Sequence, residues 1–454
     1  MMLFLAHCGS IFAFNVRSGL KEMNEMRQLL KIAACIAAVS FQNGLSAQEP
    51  AMRLSLEQAQ EYAVEHNRTL MNASLDIRKA EASRWQSIAS ILPQVKGSVD
   101  YSNYCGYKMD LGGMSMSMPP FATFGITTSV AFSGANVVGI QIADISRKMA
   151  DITLHKTERD IKSQVQQLYY SALVVEETID LLEDNLNSIV KLQKITQTSV
   201  DVGVAEQTDA DQLAVQAATM ESTINSTKRS LELAYNSLRM LLCVDEATDI
   251  VLTDSLSQMF NRERIDALYA EAFDIERNYD YQLLSQSTDL ARKQIALTGW
   301  SNGPVISVYH QYSAKHYFRD EQTFNMTPPN MIGASLSVPI FTFGKNTAAI
   351  KDAKLAYQKQ LNTMADTELA LNLKYRQLLY NLSSNLEKFE DQQQSVTVAQ
   401  RVFDNISKKY EQGVSSSLEV TNANTSLVNA QSNYVQAMLE VLEARLALED
   451  LLNK

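Results

Sequence analysis

Glycine and proline occur in only a few places along this chain, and that restricts its fold more than any other feature. Beyond Pro50, every proline lies within 93–139 or 299–344. Every glycine past that point does the same, except Gly203 and Gly413. The stretches 140–202, 204–298, 345–412 and 414–454 hold neither residue. Spans of that length without a breaker predict long helices.

Those spans are periodic. Alternate steps of three and four from Val420 meet Ala423, Leu427, Ala430, Tyr434, Ala437, Val441, Ala444, Leu448 and Leu451, all apolar or aromatic. The same walk begun 210 residues earlier meets Ala210, Leu213, Ala217, Met220, Ile224, Thr227, Leu231, Ala234, Leu238 and Leu241, with only Thr227 polar. A 3.5-residue apolar period keeps one seam of a helix against a neighbour, as in a coiled coil. The offset also exposes a duplication. Gly203 and Gly413 are 210 residues apart, and Pro93 and Pro304 are 211 apart. Each copy reads helix, Gly/Pro-rich window, very long helix, glycine turn, long helix. The expected division is an N-terminal extension at 1–47, a first repeat at 48–258 and a second at 259–454.

Each window holds two alternating segments, expected as strands at about 94–104 and 123–133 and at about 304–313 and 331–340. Val95, Gly97, Val99 and Tyr101 oppose Lys96, Ser98, Asp100 and Ser102; Phe124, Ile126, Thr128, Val130 and Phe132 oppose Gly125, Thr127, Ser129 and Ala131. In the second window Ile306, Val308 and Tyr312 oppose Ser307, Tyr309 and Gln311, and Ile332, Ala334, Leu336 and Val338 oppose Gly333, Ser335 and Ser337. Period-two alternation of this length fits strands with one face to lipid and one to water. Four strands do not close a barrel, and open edges are not tolerated in lipid. A cyclic trimer sharing one barrel has twelve. The segment from Gly139 to Gly203 extends roughly 95 Å as a helix, about three times a hydrocarbon core of ~30 Å. The expected fold is therefore mainly α with a β-barrel portion: a long coiled-coil helical barrel standing on transmembrane strands.

The turns carry a resemblance. Val202-Gly203-Val204-Ala205-Glu206-Gln207-Thr208-Asp209 resembles the first tip turn of the TolC-like outer-membrane efflux proteins. Tyr410-Glu411-Gln412-Gly413, followed by Leu418-Glu419-Val420 and Asn422-Ala423, resembles the second. Val338-Pro339-Ile340-Phe341 before Gly344 is similar to the family's strand-to-helix exit. The resemblance spans essentially the whole chain after residue 47. It implies a homotrimer in outer-membrane lipid, with a periplasmic helical tunnel that opens at its tip like an iris. It implies a periplasmic adaptor protein docked at the tip turns, here Gly203, Val204, Gly413 and Val414. It also implies an inner-membrane transporter, proton-driven or ATP-driven, that supplies the energy. The cell outer membrane is the implied location. The family's tip carboxylates fall at Glu419 and Asn422, so the second departs from the pattern and carries no charge. Thr208 and Asp209 match the family's closed-state contacts after the first turn, and Tyr410 matches at the second. The family's arginine position is Ser415. Helix capping and a solvated face account equally for acids at Asp209 and Glu419.

The remaining features narrow the function. Net charge is −11, which argues against nucleic acid as a partner. Arg27 and Lys31 followed by the apolar run 32–39 form an export signal, with a cut expected between Ala47 and Gln48. Met23 or Met26 is then the natural start. Ile32-Ala33-Ala34-Cys35 also resembles a lipoprotein box, which would anchor the chain at Cys35. After residue 47 only Cys105 and Cys243 remain, too few for a disulfide framework. No apolar run there is long enough for a transmembrane helix. His66, His155, His310 and His316 form no metal spacing, and no catalytic motif, cofactor loop or P-loop appears. His310 and His316 are expected in or beside a strand, as loop or lumen residues. Met109 with Met114, Met116 and Met118 reads either as an adaptable loop tip or as soft ligands for Cu(I). The expectation is an efflux or secretion duct and not an enzyme. The alternative is a secreted coiled-coil interaction protein without a pore.

Overall fold

The computed structural model describes residues 52–117, 119–318 and 328–454. The export signal, its cut site, the start codon, Cys35 and Met118 lie outside the described residues. The helices and the main sheet belong to one compact unit, 53–454.

A short strand β1 (Met52–Leu54) precedes helices α1 (Leu56–His66) and α2 (Arg68–Ala89). Then come β2 (Gln94–Ser102), the small hairpin β3 (Lys108–Leu111) and β4 (Met114–Ser117), and β5 (Phe121–Ser133). Helix α3 (Gly134–Asp201) runs to the first glycine turn and α4 (Gln207–Leu242) returns. A connecting region holds β6 (Ile250–Leu252), α5 (Leu256–Met259) and α6 (Arg262–Tyr269). The second copy follows as α7 (Tyr279–Trp300), β7 (Val305–Tyr317), β8 (Asn330–Ser337), α8 (Lys345–Glu411) and α9 (Ser417–Leu452).

The duplication is visible element by element. Helices α2 and α7 both have 22 residues, α3 and α8 have 68 and 67, and α4 and α9 both have 36. The joints repeat as well. Asn67 caps α2 and donates from Nδ2 to the Leu241 carbonyl at 2.9 Å. Asn278 caps α7 and donates to the Leu451 carbonyl at 3.1 Å. Both asparagines are buried, and each ties the start of an outer helix to the end of a returning one. The returning helices end alike, on Cys243 and Asn453 with φ 57° and 56°.

The long helices form because nothing interrupts them. Helix α3 starts at Gly134, five residues ahead of the expected Gly139 boundary. The Ser133 N–H donates to Asn136 Oδ1 at 3.0 Å, and this closes the first turn early enough that Gly139 becomes an interior residue. At 1.5 Å per residue α3 spans about 100 Å. Toward the two turns the four long helices share one core: Ile189, Leu192, Leu213, Ala217, Met220, Phe403, Val420, Ala423 and Leu427. Six of these are members of the two walks read from the sequence, so the 3.5-residue seam is the packing seam. Farther from the turns a polar cluster around buried Arg445 joins the copies to the connecting region. Arg445, 3% exposed, donates to the Met259 carbonyl and to Tyr170 Oη, while Arg264 reaches Glu449 at 3.1 Å.

Strands β2, β5, β7 and β8 form one antiparallel sheet in that order. Partners share a face, so the register sorts the side chains. Rows Val99–Phe124–Ala314, Val130–Val308–Ala334 and Phe132–Ile306–Leu336 make an apolar face. Rows Lys96–Thr127–Gln311, Ser98–Gly125–Ser313 and Ala131–Ser307–Ser335 make a polar one. The apolar side chains are exposed, Val99 to 74% and Ile332 to 79%. The expected place of His310 and His316 needs correction. Both lie within β7 on the apolar face, His310 in a row with Thr128 and Ile332 and His316 paired with Ala122. Their polarity suggests water, but alternation with Val308 and Tyr312 fixes their parity. Among the described residues no helix is long and apolar enough to cross a membrane.

Sheet meets helices at Trp300. The last residue of α7 lies over the first residue of α3, so that a Cβ on Gly134 would fall 2.2 Å from the indole. That contact ties both copies together where strands become helices.

Candidate functional site: the paired glycine turns

Each turn is a Schellman stop. Gly203 N donates to the Val200 carbonyl at 2.9 Å and Val204 N to the Ser199 carbonyl at 2.8 Å. Gly413 N donates to the Tyr410 carbonyl and Val414 N to the Lys409 carbonyl, both at 2.9 Å. The motif needs a positive φ at its glycine, and Gly203 and Gly413 have φ 79° and 73°. The turns project apolar side chains into solvent: Val202 is 70% exposed, Val204 81% and Val414 73%.

The returning helices start differently. Ser416 caps α9, its Oγ accepting from Glu419 N at 3.3 Å, and Glu419 Oε2 accepts in return from Ser416 N at 3.1 Å. The Ser415 hydroxyl also donates to Glu419. Those bonds, the Ser415 hydroxyl first, hold the exposed Glu419 carboxyl below the usual glutamate range. Helix α4 begins after Glu206 without a side-chain cap, and Thr208 donates to the Glu206 carboxylate at 3.2 Å. Asp209 is drawn across to the other copy: the Ser417 hydroxyl donates to its Oδ1. Gln212 stands 2.9 Å from the same hydroxyl. A hydroxyl has one proton to give, so a self-consistent chain runs from the Gln212 amide to Ser417 to Asp209.

A second link crosses between the copies. Tyr410 Oη lies 2.8 Å from Thr196 Oγ1. Thr196 already donates to the Leu192 carbonyl, so the tyrosine is the donor. Burial pushes the Tyr410 hydroxyl pKa up, which keeps it protonated and able to donate. Asp209 and Tyr410 thus face one cavity of about 350 Å³, lined also by Thr196, Ser199, Glu411 and Ser415, but no hydrogen bond joins the two directly. Asn422 is exposed one turn beyond Glu419. The repeat pairs Asp209 with Glu419 and Gln212 with Asn422, each 210 apart.

The sequence patterns above do not single out Ser417 and Thr196, yet they hold a signal for one of them. Steps of three and four from Ile189 pass Leu192 to Thr196, a polar residue at a seam position next to a turn. The alternating walk taken back from Val420 lands on Ser416, not on Ser417, and both Thr196 and Ser417 are 2% exposed.

A pair of part-buried inter-copy links thus lies beneath two exposed glycine turns, at the far end of ~100 Å helices from an apolar-faced sheet. The family model for outer membrane efflux proteins matches residues 60–243 and 275–454. The chain belongs to that family. Its members are channels of the outer membrane, and the alternative of a secreted coiled-coil protein without a pore is set aside. The outer membrane protein TolC of Escherichia coli K12 is 22% identical over 441 residues, covering 94% of this chain and 86% of that one. The pyoverdine export outer membrane protein OpmQ of Pseudomonas aeruginosa is 24% identical, covering 82% of this chain and 79% of that one. The solved outer membrane protein VceC of Vibrio cholerae superposes with a TM-score of 0.71 at 16% identity, covering 87% of this chain and 95% of that one. Among the described residues no cluster of histidine, cysteine and carboxylate side chains is arranged to hold a metal ion.

Proposed function

We propose that this outer membrane efflux protein works as a homotrimer, the passive exit duct of a tripartite efflux or type I secretion system. The observation that carries the reading is the four-stranded sheet with an exposed apolar face and two unpaired edges, β2 and β8. In lipid those edges need partners, and two further copies close a twelve-stranded barrel. The helices then stand in the periplasm as a tunnel. A periplasmic adaptor docks on the tip turns at Gly203, Val204, Gly413 and Val414, and an inner-membrane transporter drives transport; the duct itself performs no catalysis and needs no cofactor. Light scattering of the detergent-extracted protein is expected to give the mass of a trimer. A stable, folded monomer rules out the shared barrel.

The gate is assigned to Thr208, Asp209, Tyr410, Glu419 and Asn422, with Ser417 and Thr196 completing it. Because Asp209 and Glu419 are repeat equivalents, a trimer places six carboxylates around its tip, alternately tied across the copies and folded into a cap. Negative charge at a constriction favours cations. Glu419→Gln is expected to lower cation selectivity, read as a shift of reversal potential in a salt gradient across a planar bilayer. The sign of the pH dependence follows from the cap. A carboxyl held below its usual range keeps its charge as pH falls and loses it only below that range. Like charges gathered in the trimer act the other way, so selectivity due to Glu419 is lost only on the acid side, and a loss on raising the pH assigns it to another group.

A further inference from the structure

The upper end of the sheet, away from the helices, carries aromatic side chains on both faces, and the register separates them into two clusters. Tyr101, Ala122 and His316 form a row on the apolar face. There Phe318 meets Tyr101 with ring centroids 5.7 Å apart and His316 at 5.3 Å, which is the interfacial belt expected of a membrane strand. The next row, Ser102, Phe121 and Tyr317, belongs to the polar face. Phe121 meets Tyr317 at 5.7 Å and Tyr104 at 6.1 Å, and the Lys315 ammonium lies 5.2 Å over the Phe121 ring. An interfacial belt does not account for this second cluster, because it faces away from lipid. Below it the paired rows of the polar face hold small groups such as Ser98, Thr123, Gly125, Thr127 and Ser313. Their single further ring is Tyr309, which is laid against Gly333.

We propose that Tyr104, Phe121 and Tyr317 form an aromatic collar inside the outer mouth of the pore, a contact site for planar aromatic solutes on their way out. This rests on the reading of the chain as a barrel-forming channel, which sets the polar face toward the lumen. The tilted rings, with planes at 40° and 52° to Phe121, leave ring faces and edges unstacked on one another. Tyr104 is 47% exposed, and Phe121 and Tyr317 are half-buried. Aromatic pairs gain beyond plain burial through offset and edge contacts, so a flat solute is favoured here over a saturated one of the same size and charge. Three copies of the collar around one axis make it a ring that every solute passes.

The test uses the full-length protein in a planar bilayer, with 2-naphthoate and its fully saturated counterpart added in turn from the outer side. Naphthoate is expected to reduce the current at about fivefold lower concentration, the preference one or two ring contacts give. Phe121→Leu with Tyr317→Leu keeps an apolar lining but removes the flat faces, and is expected to bring the two blockers level. The variant's folding is checked by its heat-resistant oligomer band. Equal block by both compounds in the unaltered protein, or an undiminished naphthoate preference in the double variant, overturns the collar. Absence of any conductance overturns the pore reading itself and the collar with it.

Discussion

Ser417→Ala combined with Tyr410→Phe is expected to raise time-averaged single-channel conductance about tenfold or more, with the oligomer intact. Each change removes one hydroxyl and nothing else. Ser417 donates to a carboxylate and Tyr410 to a threonine, and these are the polar links that tie α9 and α8 to the first copy beneath the turns. A hydrogen bond to a charged group contributes about 1.5–3 kcal/mol and a neutral one about 0.5–1.5 kcal/mol. Losing both moves a closed–open equilibrium by roughly one to three powers of ten, provided the bonds exist only when the tip is closed. Apolar packing among Leu213, Met220, Phe403 and Leu427 remains, so the helices stay together while the tip loosens. Asp209→Ala is expected to act in the same direction and to change selectivity as well, because it also removes a charge. A double variant that conducts like the unaltered protein means that the closed tip is held elsewhere and that the two hydroxyls only satisfy buried groups.

The long elements are legible in the sequence because their rule is periodic. A breaker-free span with a 3.5-residue apolar walk has few alternatives, and the offset of 210 carries each finding in one copy to the other. Strand parity is equally strong, and His310 is misplaced only when parity is set aside in favour of polarity. What escapes is local and long-range at once. Helix α3 begins at Gly134 because of one asparagine three residues beyond its cap Ser133, a cap easily lost beside a glycine-rich strand. The tip contacts depend on how far α9 is displaced along α4, and no single-chain pattern states that displacement. Asp209 is singled out in the sequence by resemblance. Its partner is not, since Ser417 lies next to a capping serine and reads as part of the cap. With Ser415 at the family's arginine position, the charged clamp is either absent or rebuilt; the structure has a hydroxyl two residues later, at Ser417, in contact with Asp209.

The contact between Gly134 and Trp300 bears on assembly through the sheet. Gly134 does not need glycine for its backbone, because it opens a regular helix; it needs the space the indole fills. Gly134→Val brings branched carbon into the ring, and only a displacement of Trp300, and with it the end of α7, relieves the clash. Overpacking of this kind costs about 1–3 kcal/mol where neighbours can move, and here the displaced residue sits five positions before Val305, the start of β7. The error is therefore passed into the central strand pair β5–β7, on whose register every other row depends. Gly134→Val is expected to abolish the heat-resistant oligomer. Trp300→Ala alone is expected to weaken it only modestly, since the indole is 46% exposed. The decisive measurement is the combination: adding Trp300→Ala to Gly134→Val should restore a large part of the oligomer, a coupling of roughly 2 kcal/mol between touching residues. If the pair is as defective as Gly134→Val alone, the damage lies in the helix start itself, and the strand-to-helix junction is not set by this contact.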